Sequence, residues 1–382
     1  MSRDLFFVAL SLFTWGMGES AYRFFQPLYL EQLGATPLAI GSILGGVGIA
    51  MTIAHIPAGY LADRFGRRIM MWSAWILGVL AGTLMAVAKS LPLFTLGVLL
   101  YGITAFVVAP MNSYITAARG SWSVGRAIAF TSAMYNLGSI IGPYLGGLIG
   151  ELFGYARIYA LATLIFLVST ILIFLIKPQP TEDAPSKAGP QRAFNPWFLR
   201  FMPLLLIANF GMYLAQPLAP NYFQDYHSLS LSQIGTLGAV SGLGSVALTL
   251  GLGSLNPSLG FILSQFATTF SAMFLWGGVG FPWFAAGFFL MGGFRSARTT
   301  SVAYVRNLIS TANMGLAYGI AETVSSGAVI LASFLAGFIF ERNPVWIFAA
   351  AIGITTISTL ASIGFFRFPK RISSPPTGTL AR

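Results

Sequence analysis

The chain has no cysteine in its 382 residues, which excludes disulfides, thiolate nucleophiles and cysteine-ligated metals. Charge is nearly as scarce. Asp, Glu, Lys and Arg make up 8% of the residues, against about 25% in a soluble globular domain. The two histidines, His55 and His227, fall near opposite membrane faces once the apolar spans are laid out. No HExxH pair or Ser/His/Asp set can therefore be assembled, and neither catalysis nor a cofactor or metal is expected. A short apolar core with a small-residue cleavage site is also lacking. Met1-Ser2-Arg3-Asp4 leads directly into a long apolar stretch, so the first span is expected to be retained.

Apolar residues are in excess, at 56% of the chain with a mean hydropathy of +0.77. Runs of about 20 such residues recur from end to end, the pattern of a polytopic helical membrane protein. Breaks at charges and at Pro or Gly divide the chain into twelve expected spans. The first six are 6–30, 38–60, 69–88, 92–115, 126–149 and 157–176. The second six are 197–222, 231–252, 259–279, 283–305, 315–339 and 345–366. Between them, 177–196 (KPQPTEDAPSKAGPQRAFNP) is rich in Pro and charge without an apolar period, and reads as a linker. The expected organisation is an all-α integral membrane protein: a six-helix bundle over 1–176, a cytoplasmic linker over 177–196, a second bundle over 197–366 and a cytoplasmic tail over 367–382.

The net charge of +11 would suggest nucleic acid as the partner of a soluble protein, but the distribution of charge points to the bilayer. With both termini inside, fifteen of the 21 basic residues face the cytoplasm. Lys89, Arg157 and Arg342 lie outside, and Arg23, Arg295 and Arg298 lie within spans. The positive-inside rule thus orients the chain, with its termini cytoplasmic. The two halves also match each other. TPLAIG (36–41) aligns with SLSQIG (230–235), and Glu31 falls opposite Asp225. LPLFTLGVLLYG from Leu91 aligns with FPWFAAGFFLMG from Phe281, and YLGGLIGE from Tyr144 with FLAGFIFE from Phe334. Parallel six-span repeats imply a pseudo-two-fold axis along the membrane normal, with a cavity between the halves at mid-depth.

The loop after the second span reads Gly59-Tyr60-Leu61-Ala62-Asp63-Arg64-Phe65-Gly66-Arg67-Arg68. It resembles the G-x-L-A-D-R-x-G-R-[RK] signature of the major facilitator superfamily, and with the spans and the repeat the resemblance covers essentially the whole chain. It implies the major facilitator fold and a cytoplasmic gating role for Gly59, Asp63, Arg64, Gly66, Arg67 and Arg68, the aspartate latching onto the start of the eleventh span near Gly315. The second half retains only Gly253-Ser254-Leu255-Asn256-Pro257, so the latch is one-sided. In the fifth span, Gly138, Gly142, Pro143, Gly146 and Gly147 resemble the family's antiporter motif; small residues at this spacing also serve ordinary close helix packing. One element departs from the pattern. Drug–proton antiporters of the family carry an arginine in the fourth span four residues before a glycine; with that glycine at Gly102, the position is Val98. The departure counts against proton antiport by the familiar route.

Five ionisable residues fall within spans: Glu19, Arg23, Arg295, Arg298 and Glu322. Each costs about 2.5–3.5 kcal/mol at mid-span on insertion scales, so they are expected to face the protein interior, paired or functional. Glu19, Tyr22, Arg23 and Gln26 share a helical face by spacing, and Asn209, Tyr213 and Gln216 form the matching stripe of the seventh span. Arg295 and Arg298, three apart, repel unless an anion or a carboxylate intervenes. A substrate anion and Glu322 are the two alternatives. The expected substrate cavity is Glu19, Tyr22, Arg23, Gln26, Asn209, Tyr213, Gln216, Arg295 and Arg298, with Glu19 and Glu322 as proton carriers. These residues point to a secondary transporter of a small organic solute working by alternating access. Proton-coupled efflux leads, with proton–anion symport or a lipid flippase as alternatives. No symmetric ring of like groups supports a channel. The expected setting is the bacterial inner membrane, with a small-molecule substrate and the bilayer as partners, no nucleic acid, no cofactor beyond a proton gradient, and a monomeric state.

Overall fold

The computed structural model describes residues 1–55, 58–179, 195–309 and 314–367, except the side chains of Ala58, Gly59, Asp63 and Gly315. Of the linker, residues 180–194 lie outside the described residues, as does the tail from 368 onward. The described chain is helical throughout, with no strand among the described residues. The first half runs α1 (Arg3–Arg23), α2 (Gln26–Gln32), α3 (Pro37–His55), α4 (Ala58–Phe65), α5 (Arg67–Val87), α6 (Leu91–Ile103), a 3-10 turn (Thr104–Val107), α7 (Val108–Ala118), α8 (Val124–Phe153) and α9 (Tyr155–Phe174). The second half runs α10 (Pro196–Leu214), α11 (Ala219–His227), α12 (Leu231–Gly253), α13 (Pro257–Gly277), α14 (Phe281–Met291), α15 (Gly293–Arg306), α16 (Met314–Arg342) and α17 (Trp346–Arg367).

Local chemistry sets many of the helix ends. The Ser2 hydroxyl accepts from the Leu5 N–H at 3.0 Å, and Ser230 with Gln233 forms a capping box at the start of α12. Gly66 and Gly154, at φ +83° and +84°, join helices through a backbone conformation that side chains disfavour. Among the described residues, nine helical stretches are long and apolar enough to cross a membrane. The expected spans missing from that set are the first, fifth and tenth, where α1, α8 and α15 carry Glu19, Tyr135 and Arg295. A helix that turns polar groups toward a protein cavity is bound to be less apolar than one surrounded by lipid.

Among the described residues, four of the expected spans are interrupted. The first breaks at Phe24–Phe25 ahead of Pro27, and the seventh across Ala215–Leu218, where Pro217 cannot donate a helical hydrogen bond. The fourth passes through the 3-10 turn just after Gly102, and the tenth breaks at Gly292. Gly102 and Gly292 occupy equivalent places in the repeat. A Cβ on Gly102 would sit 3.2 Å from Val47 Cγ1, and one on Gly292 would sit 2.7 Å from Ser245 Cα. Each glycine lets its span press against a neighbouring helix, α3 or α12.

Two apolar clusters fill the bundle, one running through both halves and one within the second half. In the first, Trp15 stacks on Phe166 (4.4 Å between ring centroids), and Trp75 Nε1 lies 2.9 Å from the hydroxyls of both Ser11 and Ser169. In the second, Phe201, Phe261 and Tyr304 interlock, and Gln265 bonds Ser358 and Ser362 across α13 and α17. The halves meet along two seams, α3 with α16 and α8 with α12. In the first seam the backbone of Gly41 abuts Ser333 and Gly337. In the second, Gly147 abuts Leu231, Ser232 and Gly235. Polar bonds close the same end: Asn221 donates to Glu31 and to the Pro27 carbonyl (3.3 Å), Tyr155 to Gln224 (2.9 Å), and the Ser232 N–H to Glu151 (3.3 Å). At the other, arginine-rich end, α4 packs on α3, α5 and α7 of its own half. Among the described residues the halves are therefore sealed at one end and diverge toward the other.

Candidate functional site

The centre of the molecule is organised by the close approach of α1 and α8. Gly138, Gly142 and Gly146 face α1: a Cβ on Gly138 would lie 2.8 Å from Met17 N, one on Gly142 2.8 Å from Ala21 N, and one on Gly146 2.9 Å from the Phe25 ring. On the other side of α8, Pro143 and Gly147 meet α12, where a Cβ on Gly238 would lie 2.7 Å from Pro143 Cβ. One stripe of small residues thus holds α8 against its own half and against the other half.

That approach brings Tyr135, one turn before Gly138, to α1. Its hydroxyl donates to Glu19 Oε2 at 2.8 Å, while Arg23 Nη1 donates to Glu19 Oε1 at 2.9 Å. Both carboxylate oxygens are engaged and the residue is mostly enclosed, at 13% exposure against 60% for Arg23. An arginine this exposed halfway along a bundle needs water, which the diverging end supplies. Asn136, adjacent to Tyr135, is directed at the other half, and its Oδ1 accepts from Arg295 Nη1 at 2.9 Å. Arg298 pairs with Glu322 of α16. The two arginines of the tenth span therefore part, one to a carboxylate of its own half and one across the cavity to a neutral amide. Tyr213 packs on Phe294 at 5.1 Å and completes the wall beside Arg295.

The structure corrects four of the expected cavity residues. Tyr22, 2% exposed, turns into the core of the first half among Tyr101, Tyr159 and Phe166; on α1 it lies on the flank of the Glu19 face and the larger aromatic cluster takes it. Gln26 lies beyond the break at Phe24–Phe25 and is buried, so a spacing rule that assumes one continuous helix does not reach it. Asn209, fully buried, braces α10 to α16 through Ser325 at 3.2 Å. Gln216 lies in the break of the seventh span, donates to the Met212 carbonyl at 2.9 Å, and lines a small space inside the second half with Thr268 and Ser271. Glu19, Arg23, Tyr213, Arg295 and Arg298 stand around the centre between the two halves, linked by the contacts given above.

In the loop after the second span, Arg67 Nη1 lies 3.5 Å from the Ser113 carbonyl, Arg68 rests 4.5 Å over the Trp72 ring, and Arg64 5.4 Å over Phe65. Gly66 supplies the positive φ of the turn. The latch between Asp63 and the region of Gly315 lies outside the described residues. Sequence reasoning passed over Tyr135, Asn136 and Asn221; a Tyr-Asn pair one turn ahead of a small-residue stripe was the available signal for the first two.

The family model described as Major Facilitator Superfamily matches residues 8–256 and 201–381. The chain is 26% identical over 251 residues to quinolone resistance protein NorA of Staphylococcus aureus, covering 64% of each. It is 25% identical over 225 residues to multidrug resistance protein 1 of Bacillus subtilis, covering 56% of this chain and 58% of that one. The chain thus spans somewhat under two thirds of the length of these relatives. In fold it resembles the nucleoside transporter NupG (TM-score 0.80, 13% identity, 96% of this chain and all of the other). It also resembles a D-xylose–proton symporter (TM-score 0.68, 15% identity, 97% and 98%). A family-model match running nearly the whole length, on an all-helical bundle with a polar centre between two halves, establishes that this chain is a multi-pass membrane protein of the major facilitator superfamily, a family of transporters and not of enzymes.

Proposed function

We propose that the chain exports small organic solutes from the bacterial cytoplasm in exchange for protons. The observation that carries the reading is the Glu19–Arg23–Tyr135 cluster, a mostly enclosed carboxylate with both oxygens engaged, between two halves that among the described residues diverge toward the arginine-rich end. By the positive-inside rule that end is cytoplasmic, and the conformation is the one that loads solute from inside. Resemblance to proteins named for multidrug and quinolone resistance supports export as the direction.

Alternating access then proceeds through the two seams. Opening the sealed end exposes Glu19 to the outside, where it takes up a proton; the neutral carboxyl no longer holds Arg23, and the altered cavity releases its solute. Return to the present conformation delivers the proton to the cytoplasm and restores the Arg23 pair. Glu322, paired with Arg298 on the opposite wall, is the second proton-binding group. Asp63 and its motif neighbours Gly59, Arg64, Gly66, Arg67 and Arg68 serve as the latch that shuts the cytoplasmic end in the other state.

The test is transport in proteoliposomes with an imposed pH gradient and a fluorescent quinolone as solute. The wild-type protein is expected to move quinolone against the proton flow, and Glu19→Gln to bind quinolone but not to accumulate it. Quinolone movement independent of the gradient, or unchanged in both Glu19→Gln and Glu322→Gln, removes the proton-exchange reading.

A further inference from the structure

Three arginines, Arg23, Arg295 and Arg298, stand well inside the expected spans rather than at their ends, and the structure divides them unequally. Arg23 is neutralised by Glu19, and Arg298 by Glu322. Arg295 is exposed in the cavity, and among the described residues no carboxylate pairs with it; its side-chain bond is to the neutral Asn136 amide of the other half. A guanidinium presents five donors in a planar fork suited to two oxygens of one anion. A single amide oxygen occupies one of those donors and returns no charge. A cation left without a counter-charge at this depth is a standing binding site for an anion.

We infer that Arg295 is the receptor for an oxyanion, carboxylate or phosphate, carried by the transported solute, which takes the guanidinium from Asn136. The inference rests on the central cavity being the solute cavity, and is independent of the direction of transport. Tyr213 and Phe294, packed at 5.1 Å beside Arg295, give the anion an apolar wall for its organic body. Arg298 stands three residues further along the same helix, within reach of the same ligand. The exchange also has a mechanical consequence. The Arg295–Asn136 bond ties the walls of the cavity together, and a ligand that replaces it loosens one half from the other. Loading and rocking thus become coupled at a named bond.

The experiment uses purified full-length protein in detergent and four probes of similar size: benzoate and phenyl phosphate as oxyanions, benzamide and phenol as their neutral counterparts. Binding is read as the rise in melting temperature and by titration calorimetry. An oxyanion is expected to stabilise the wild-type protein where its neutral counterpart does not. Arg295→Gln is expected to weaken that binding roughly tenfold to a hundredfold, the cost of a lost charge-assisted bond. Asn136→Ala, which removes the competing acceptor, is expected to tighten it, a gain that a misfolded variant cannot produce. Benzoate alone identifies a carboxylate, phenyl phosphate alone a phosphate ester, and both together a general oxyanion site. The inference is overturned if no probe binds, if neutral probes bind as well as charged ones, or if Arg295→Gln binds oxyanions like the wild type. Because no gradient is involved, failure of proton-driven export leaves this result intact. Export that persists without oxyanion binding removes the anion site alone.

Discussion

Gly147 is a tight contact in the seam between α8 and α12, and replacing it with alanine tests whether the sealed end opens by separation of the halves. A Cβ there would lie 2.6 Å from the Leu231 carbonyl oxygen, 3.0 Å from Gly235 Cα and 3.1 Å from Ser232 Cα. All three atoms belong to the backbone of α12, so no side chain can swing away and the helices must part. Overpacking of this kind costs about 1–3 kcal/mol, and here it falls on the sealed conformation alone. The equilibrium should therefore move about 5- to 150-fold toward the state open at the sealed end. The absence of cysteine makes the assay clean, since one introduced thiol is the only one in the chain. Ser333, 2% exposed in the other seam, is the reporter. In detergent, Ser333→Cys should react slowly with a soluble maleimide in the parent, and faster by the same factor when combined with Gly147→Ala. Gly46→Ala is the control, because its Cβ would meet Leu99 Cδ2 at an ordinary 3.7 Å and should leave the rate unchanged. If the introduced thiol stays protected in a folded Gly147→Ala protein, the two seams do not open together and rigid rocking of the halves is wrong.

The pairings in each half give two further expected outcomes. Arg298 and Glu322 are 34% and 57% exposed, so solvent screens the pair; a double-mutant cycle with Arg298→Ala and Glu322→Ala should give a coupling of no more than about 1 kcal/mol, and a much larger value would mean that the cavity is dry at that point. Trp75→Phe keeps an aromatic ring but removes the N–H that lies 2.9 Å from both Ser11 and Ser169; a loss of about 1 kcal/mol is expected as a lower melting temperature, and an unchanged melting point would show that the two serines satisfy each other without it.

How much of the site was legible varies residue by residue, for physical reasons. Glu19 and Arg23 could be paired from sequence because four residues along an unbroken helix fix their relative position. The same rule misplaced Gln26 because α1 ends at Arg23, and backbone breaks at Phe24–Phe25 and Ala215–Leu218 reset the helical phase of the residues beyond them. Tyr22 was misread differently. Its helical position permits either face, and the cluster of Tyr101, Tyr159 and Phe166 offers it more apolar contact than an aqueous cavity does. The choice left open for Arg295 and Arg298, anion or Glu322, depended on where α16 and α8 stand. Glu322 reaches Arg298, and Asn136 reaches Arg295.

The sequence by itself determined that this is a helical membrane protein of the major facilitator superfamily, because hydropathy is a property of each segment alone and a repeat or a loop motif is read along the chain. Only the tertiary structure decided which charges are neutralised, which end is sealed, and that Tyr135 and Asn136 belong to the centre. Those facts depend on how near two helices come. That distance is set by glycines that admit a backbone where a side chain would block it, as Gly138 and Gly142 do for α1 and Gly147 does for α12.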